Sequence, residues 1–381
     1  MAMSTNIKGK KLLYIFDHLD WKSRMPVALA AKDAGYDITI GIVGAQDHEI
    51  QGLDGYKTLT LPKPKNKFGP LSVHESVSAI RKTIKDLKPD LLHTVTLKYS
   101  FMVGLAALGL KGFQIVYTIA GLGFLFRSDG TKPVLIRGVL SPFLKTVLKN
   151  KNAHLIFQNP DDRDLLVEKN YCRFDQTHLV ISSGVDLSKF DVSEESESDE
   201  PIALMPTRLV HEKGISIFVQ AAKTLKAKGI KARYKIAGGL TVHNPRAISE
   251  MEMRAMTADG TVEWLGHVDD MPTVLKESHV IVYPSYYGEG VPRVMLEACA
   301  SARPIITTDH AGCRETVPNG ENGFLTPVKD VDATAEAMEK LLTDKALRVQ
   351  MGKESRKLAE TAFDIREIVK QTLAIYDVAL K

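Results

Sequence analysis

Cysteine is scarce in this chain. Its 381 residues include three, Cys172, Cys299 and Cys313, with no C-x-x-C spacing and no even pairing. Neither a disulfide framework nor a structural zinc site is expected, and a reducing, cytoplasmic setting is. Long apolar runs are missing too. The uncharged stretch from Tyr99 to Leu110 falls far short of the roughly 20 residues that span a bilayer, so no membrane-spanning segment is expected. The opening MAMSTNIKGKKLLYIF has no apolar core followed by a small-residue cleavage site, and no secretory signal is expected. Low-complexity sequence and internal repeats are absent apart from one acidic stretch. A hydrophobic content of 44% with 25% charged residues excludes a wholly disordered, collagenous or coiled-coil chain.

The formal net charge is only +4, but it is unevenly spread. Residues 1–190 hold 26 Lys/Arg against 17 Asp/Glu, and residues 191–381 hold 24 against 29. Most of the excess lies in Lys57–Lys151, with 16 basic and 4 acidic residues. A basic face attracts nucleic acid, an anionic bilayer or phosphorylated ligands alike, or is simply solvated, so charge alone does not choose.

Short β-branched runs alternate with longer amphipathic ones, the pattern of βαβ units and parallel sheets. In the first half, strands are expected at Lys11–Phe16, Asp37–Val43, Asp90–Val95, Gln114–Thr118, His154–Gln158 and His178–Ile181. Helices are expected at about Pro26–Ala34, Val73–Leu87, Phe101–Leu108, Val134–Asn150 and Pro160–Lys169. Asp191–Glu200 (DVSEESESDE) then interrupts with six acids and almost nothing to bury, which suggests a linker. A second series follows, with strands at Ile202–Pro206, Arg233–Ala237, Val262–Leu265, Val280–Tyr283 and Pro304–Thr308, and helix throughout Val331–Lys381. The expected architecture is α/β: two Rossmann-like domains facing a cleft, residues 1–190 and 201–362 joined by a 191–200 linker. A C-terminal helix, 363–381, is expected to pack back on the first domain. Ligands of such sheets bind at the carboxyl ends of the strands.

The densest chemistry follows the strand ending at Tyr283: Pro-Ser-Tyr-Tyr-Gly-Glu289-Gly290-Val291-Pro292-Arg293, then Glu297 eight residues after Glu289. A helix beginning at Pro292 presents free N–H groups and the positive end of a dipole, a seat for phosphate or sugar hydroxyls. Two carboxylates flanking that start can each accept from vicinal hydroxyls. In isolation they are equally a loop acid near a helix dipole and a surface helix acid. Thr207-Arg208-Leu-Val-His-Glu-Lys213-Gly214 follows the first strand of the second series. Its two cations could meet one diphosphate as fork and point charge, or could be solvated surface.

At this point the sequence resembles the retaining glycosyltransferases of family 4, which adopt the GT-B fold. The resemblance rests on Glu289…Glu297, on Glu289-Gly290-Val291-Pro292, on Ala302-Arg303-Pro304-Ile305, on Asn322–Leu325 and on Arg208…Lys213-Gly214. Ser183-Gly-Val-Asp186 through Phe190 is similar to the family's hinge, and Trp264-Leu-Gly266-His267 through Met271 to the segment that meets the nucleotide base. In the first half, Asp90-Leu-Leu-His93 through Lys98 resembles a family element at a strand's carboxyl end, and Gly121-Leu-Gly123-Phe-Leu-Phe126 and Arg24-Met-Pro26 resemble elements of members that extend polyprenyl-diphosphate-linked glycans. The first loop departs from the family. It reads Asp17-His-Leu-Asp-Trp21 where many members have a glycine pair, and Ser23 stands where a histidine is usual.

What the resemblance implies is transfer of a sugar from a nucleotide diphosphate with retained configuration. Arg208, Lys213 and Glu289 are the implied catalytic residues. With Gly290, Val291, Pro292, Glu297, Gly266 and His267 they would bind the nucleotide sugar. Arg24, His93, Lys98, Gly121, Gly123 and Arg293 would bind the acceptor. No cofactor and no metal is expected, and Asp330-Val-Asp332 reads as a helix cap. The likeness to N-acetylgalactosaminyltransferases acting on diphospho-undecaprenol-linked diacetylbacillosamine points to a UDP-N-acetylhexosamine donor. A polyprenyl-diphosphate acceptor and a peripheral position on the anionic inner face of the plasma membrane follow. Docking there is expected through Lys63–Lys67 and through Val134–Lys151 with Arg137, Lys145, Lys149 and Lys151, and no nucleic acid is expected. Two rival readings stay open: the same fold with a soluble acceptor or as an epimerase, and a Rossmann-type nicotinamide or nucleotide-binding protein resting on Gly121 and Gly123.

Overall fold

In the computed structural model of the chain, the residues described are 7–381 except 19–20, 46–52, 54, 65–69, 128–130, 193–194, 196–197, 242–243 and 245. They divide into two compact units, one running up to Val180 and taking in Glu367–Lys381, the other Ile181–Arg366. The expected basic stretch Lys63–Lys67 lies mostly outside the described residues.

The first unit runs β1 (Lys11–Asp17), α1 (Trp21–Asp33), β2 (Asp37–Val43), β3 (Lys57–Leu61), α2 (Pro70–Leu87), β4 (Leu91–Val95), α3 (Leu97–Ala107), β5 (Gln114–Ile119), α4 (Gly123–Arg127), α5 (Thr131–Leu148), β6 (Ala153–Phe157), α6 (Pro160–Glu168) and β7 (Thr177–Leu179). All pairings are parallel, in the order β3-β2-β1-β4-β5-β6-β7. Leu13 and Ile15 enter one core with Val103, Tyr117 and Leu144, while Leu12, Tyr14 and Phe16 enter the other. Both faces are therefore covered, which is why the strands read as continuous apolar runs.

The second unit runs β8 (Ile202–Pro206), α7 (Ile215–Ala227), β9 (Arg233–Ala237), α8 (Glu250–Thr257), β10 (Val262–Gly266), α9 (Met271–Glu277), β11 (Val280–Tyr283), α10 (Arg293–Ala300), β12 (Ile305–Thr308), β13 (Gly323–Thr326), α11 (Val331–Thr343) and α12 (Lys345–Leu358). Its parallel sheet has the order β10-β9-β8-β11-β12-β13. Each order reverses once, between β1 and β4 and between β8 and β11, and such switch points leave a crevice at the carboxyl ends of the strands. α13 (Ile365–Ala379) ends the chain, with Ile368, Leu373 and Tyr376 inside the core that holds Tyr14.

Several boundaries differ from the sequence reading. The first unit ends at Val180, not 190, because Val185 and Phe190 are buried with Leu204 and Ile281 of the second core. The acidic stretch is anchored at one point: Glu195, 6% exposed, meets Arg348, 5% exposed. Arg348 Nε donates to both its oxygens at 3.1 and 3.0 Å, while Nη1 reaches the Leu341 and Leu342 carbonyls. α1 starts five residues before Pro26 and carries that proline inside it. β3 and β13 were not expected as strands; both lie at sheet edges, where short strands need little apolar sequence.

α5 also corrects an expectation. Two of its charges turn toward neighbouring residues: Arg137 donates to the Leu125 carbonyl at 3.1 Å and Lys145 lies over the Tyr171 ring, while Lys149, just past the helix, bonds Asn170 at the surface and Lys151 is exposed. Exposed on the helix itself are Val134, Leu135, Val139 and Phe143.

Candidate active site

The second switch point gathers the motif residues. β8 ends at Pro206, and the chain turns through Arg208 and a single helical turn at His211–Lys213 before α7. Gly214 joins the two with φ +83°, and a Cβ there would lie 2.2 Å from the Pro284 carbonyl oxygen. Only glycine permits that approach. It seats Lys213 against the end of β11, with the whole residue 2% exposed.

There the ammonium is not isolated. It is ion-paired with Glu289, donates to the Tyr283 hydroxyl at 2.6 Å, and stands 4.8 Å over the Tyr287 ring. Tyr283 in turn donates to Glu289 Oε1 at 3.0 Å. Burial, then the Glu289 charge, holds the Tyr283 phenol well above its usual range, so it stays a donor. Cys313 lies beneath; burial and the Glu289 charge push its thiol up to about 12, which leaves it unreactive. Arg208 is exposed, and its charge opposes the rise of Tyr283. Lys213 and Glu289, read from sequence as separate contacts to phosphate and sugar, are thus partners of one another, and Arg208 is the outward cation.

Pro292 caps α10 and offers no side-chain acceptor of its own to the first amides at the positive end of the helix. Glu297 is no surface acid. Its side chain is 17% exposed and accepts from Arg293 Nε at 3.1 Å. Burial holds its carboxyl above the usual range, while Arg293 pulls it back. Arg293, expected at the acceptor, therefore serves Glu297 here. Gly266 ends β10 at φ +71°, and its carbonyl accepts from Gly238 at 2.7 Å. His267 beside it is exposed and pairs with Asp269. A Cβ at Gly238 would meet the Thr207 carbonyl oxygen at 1.7 Å, so the loop carrying Arg208 depends on that glycine.

Sequence reasoning missed three members of this site. Tyr283 and Tyr287 stood in the quoted motif without a role. Arg246 had no motif at all, yet it pairs with Glu212 at 3.0 Å and lies over the Tyr287 ring.

The first-unit candidates do not assemble in the same way. His93 is buried, stacked on Tyr14, and hydrogen-bonded with Tyr376 at 2.5 Å and Thr118 at 2.7 Å through its two ring nitrogens. Burial, with the Arg24 charge, lowers its pKa to about 3. It is a neutral core histidine and is closed to a ligand. Lys98 is exposed and lies over the Tyr99 ring. Gly121 follows β5 and Gly123 starts α4. Asp330 Oδ1 accepts from the Ala333 amide at 2.9 Å, capping α11. Among the described residues no three His, Cys, Asp or Glu side chains come together as metal ligands.

Two family models match: "Glycosyl transferase 4-like" over residues 11–159 and "Glycosyl transferases group 1" over residues 188–358. The chain resembles the N,N'-diacetylbacillosaminyl-diphospho-undecaprenol alpha-1,3-N-acetylgalactosaminyltransferase of Campylobacter jejuni, 29% identical over 94% of this chain and 95% of that one. It also resembles the UDP-Gal:alpha-D-GlcNAc-diphosphoundecaprenol alpha-1,3-galactosyltransferase of Escherichia coli, 27% identical over 85% and 84%. A glycosyltransferase crystal structure from Rickettsia africae superimposes with a TM-score of 0.78, at 20% identity over 98% and 99% of the two chains. The two doubly wound units give the GT-B fold, and the matched models and relatives make the chain a glycosyltransferase. Within that class the two matched models and the relatives agree with the family 4 likeness drawn from Glu289…Glu297 and Arg208…Lys213.

Proposed function

We propose that the enzyme moves a hexose or N-acetylhexosamine from a UDP-sugar to a polyprenyl-diphosphate-linked saccharide, with retention and without a metal ion, in surface glycan assembly. One observation carries the reading: a buried ammonium bound at a switch point to a phenol and to a carboxylate in the loop before a helix whose cap residue, Pro292, supplies no side-chain acceptor. Two of the three Lys213 donors go to Tyr283 and Glu289; the third, with Arg208 and the α10 amides, meets the diphosphate. Glu289, held by Lys213 and Tyr283, accepts from donor-sugar hydroxyls, and Glu297 from the ribose. As the bond from the anomeric carbon to phosphate breaks and the bond to the acceptor oxygen forms on the same face, the acceptor proton passes to the departing phosphate. Fixed cations and amides aimed at that growing charge supply the main catalytic term. Both relatives named above carry diphospho-undecaprenol in their names, which supports a lipid-linked acceptor.

Docking to the inner face of the plasma membrane belongs to the same proposal. The uncharged outer stripe of α5 lies in the strongly basic part of the chain. An apolar helix face backed by positive charge suits the headgroup region of an anionic leaflet. No helix among the described residues is long and apolar enough to cross a membrane.

The test is a screen of labelled UDP-sugars against polyprenyl-diphosphate saccharides with EDTA present. Transfer that depends on the lipid diphosphate is expected. Equal transfer to the free saccharide removes the lipid-linked reading, and absence of UDP binding by calorimetry removes the donor. Flotation with anionic liposomes checks docking: Leu135→Ser/Phe143→Ser should float less, and binding insensitive to both the substitutions and salt counts against it.

A further inference from the structure

The first unit has a charged cluster of its own where its strand order reverses, between the ends of β1 and β4. Asp17 is the last residue of β1, with its side chain 14% exposed. It accepts from the Tyr99 hydroxyl at 2.5 Å and lies 3.2 Å from Lys63 Nζ and 3.1 Å from His18 Nδ1. Tyr99 comes from the first turn of α3, and Lys63 from the segment after β3.

Two independent features hold this cluster in place. Gly44, just past β2, holds φ at +77°, which favours glycine, and the Lys63 stem passes over it, so that a Cβ there would stand 2.7 Å from Lys63 Cδ. Thr96, between β4 and α3, keeps φ at 76°, a region that β-branched residues rarely enter. Its amide donates to the Thr118 carbonyl, and its carbonyl accepts from Ser100 Oγ, each at 2.8 Å. The turn that delivers Tyr99 is thereby fixed. Lys98, exposed, adds a second ammonium 5.1 Å from the Tyr99 ring.

A carboxylate paired with one ammonium, with a second above the neighbouring Tyr99 ring, has a distinct chemistry. The cations suit a phosphorylated ligand, while Asp17 repels phosphate and accepts hydrogen bonds from hydroxyls. A sugar hydroxyl placed there can donate to Asp17 and accept from Lys63 at once. We infer that Asp17, with Lys63, is a specificity-determining site that binds a ring hydroxyl of the acceptor saccharide; this rests on the acceptor reading above. A site built on such a hydrogen bond rejects analogues that lack the hydroxyl, because its polar groups are then left unpaired.

The test compares the polyprenyl-diphosphate saccharide that turns over best in the screen with its monodeoxy analogues, on full-length enzyme and on Asp17→Asn. Asp17→Asn should lower kcat/KM for the acceptor about 10- to 100-fold, mostly through KM, the loss of a charge-assisted hydrogen bond. UDP affinity and slow donor hydrolysis without acceptor should hold. One monodeoxy acceptor should lose as much on the unsubstituted enzyme and nothing further on Asp17→Asn. An unchanged acceptor KM, additive losses for every analogue, or a parallel fall in UDP affinity overturns the inference. Should Asp17→Asn melt early, Lys63→Met carries the same comparison. Failure of the functional reading looks different: the unsubstituted enzyme itself binds no UDP.

Discussion

Replacing Lys213 by methionine tests the centre of the site. The substitution keeps most of the side-chain volume and removes the ammonium from a residue whose side chain is 3% exposed, leaving Glu289, 21% exposed, without its cation. Breaking a buried pair from one side costs about 3–5 kcal/mol. The lower end applies here, because Glu289 keeps the Tyr283 hydroxyl and some access to water. At about 2–4 °C per kcal/mol, a 3 kcal/mol loss lowers the melting temperature of the second unit by about 6–12 °C. Turnover falls separately, by about 100- to 1000-fold, if the ammonium stabilises charge on the departing diphosphate. The double variant Lys213→Met/Glu289→Gln separates the two effects: calorimetry should show most of the stability restored, since no unpaired charge remains, while transfer stays low. Lys213→Met turning over at the unsubstituted rate with unchanged UDP affinity would refute the reasoning. A double variant that recovers activity with stability would make the pair merely structural.

Other predictions follow from buried groups. His93 has its pKa lowered from 6.5 to about 3 in the folded state, so its stabilisation is full above pH 6.5 and fades as pH falls toward 3. At pH 4.5, two units below 6.5, the loss is roughly 3 kcal/mol, at about 1.4 kcal/mol per unit. His93→Gln should flatten that part of the stability curve, and an acid limb unchanged in the variant would exclude His93 as its source. Gly238→Ala drives a Cβ against the Thr207 carbonyl; it should cost about 1–3 kcal/mol or more and weaken UDP binding by displacing Arg208, as calorimetry can check. Arg348→Leu should destabilise the second unit by about 3–5 kcal/mol and Arg348→Leu/Glu195→Leu far less, because the first leaves a buried carboxylate uncompensated. Equal denaturation midpoints for the two would show that the pair does not couple.

The order of strands and helices was legible in the sequence because the sheets are buried on both faces, and that burial writes apolar runs directly into the chain. The loops after β8 and β11 were legible for a different reason. Their glycines and prolines answer to local backbone geometry, and their charges sit at short, fixed spacings along the chain. Only the tertiary structure decided what those charges do. Lys213 and Glu289 are 76 residues apart and meet only because β8 and β11 are neighbours in the sheet. His93 looked like a strand-end ligand until Tyr376, from the far end of the chain, closed over it. α5 read as a basic amphipathic helix, but Arg137 turned to the Leu125 carbonyl and Lys145 to the Tyr171 ring, which left the apolar stripe outside. A residue's type and spacing are properties of the chain, whereas its partner is set by strand order and by which face a neighbouring element covers.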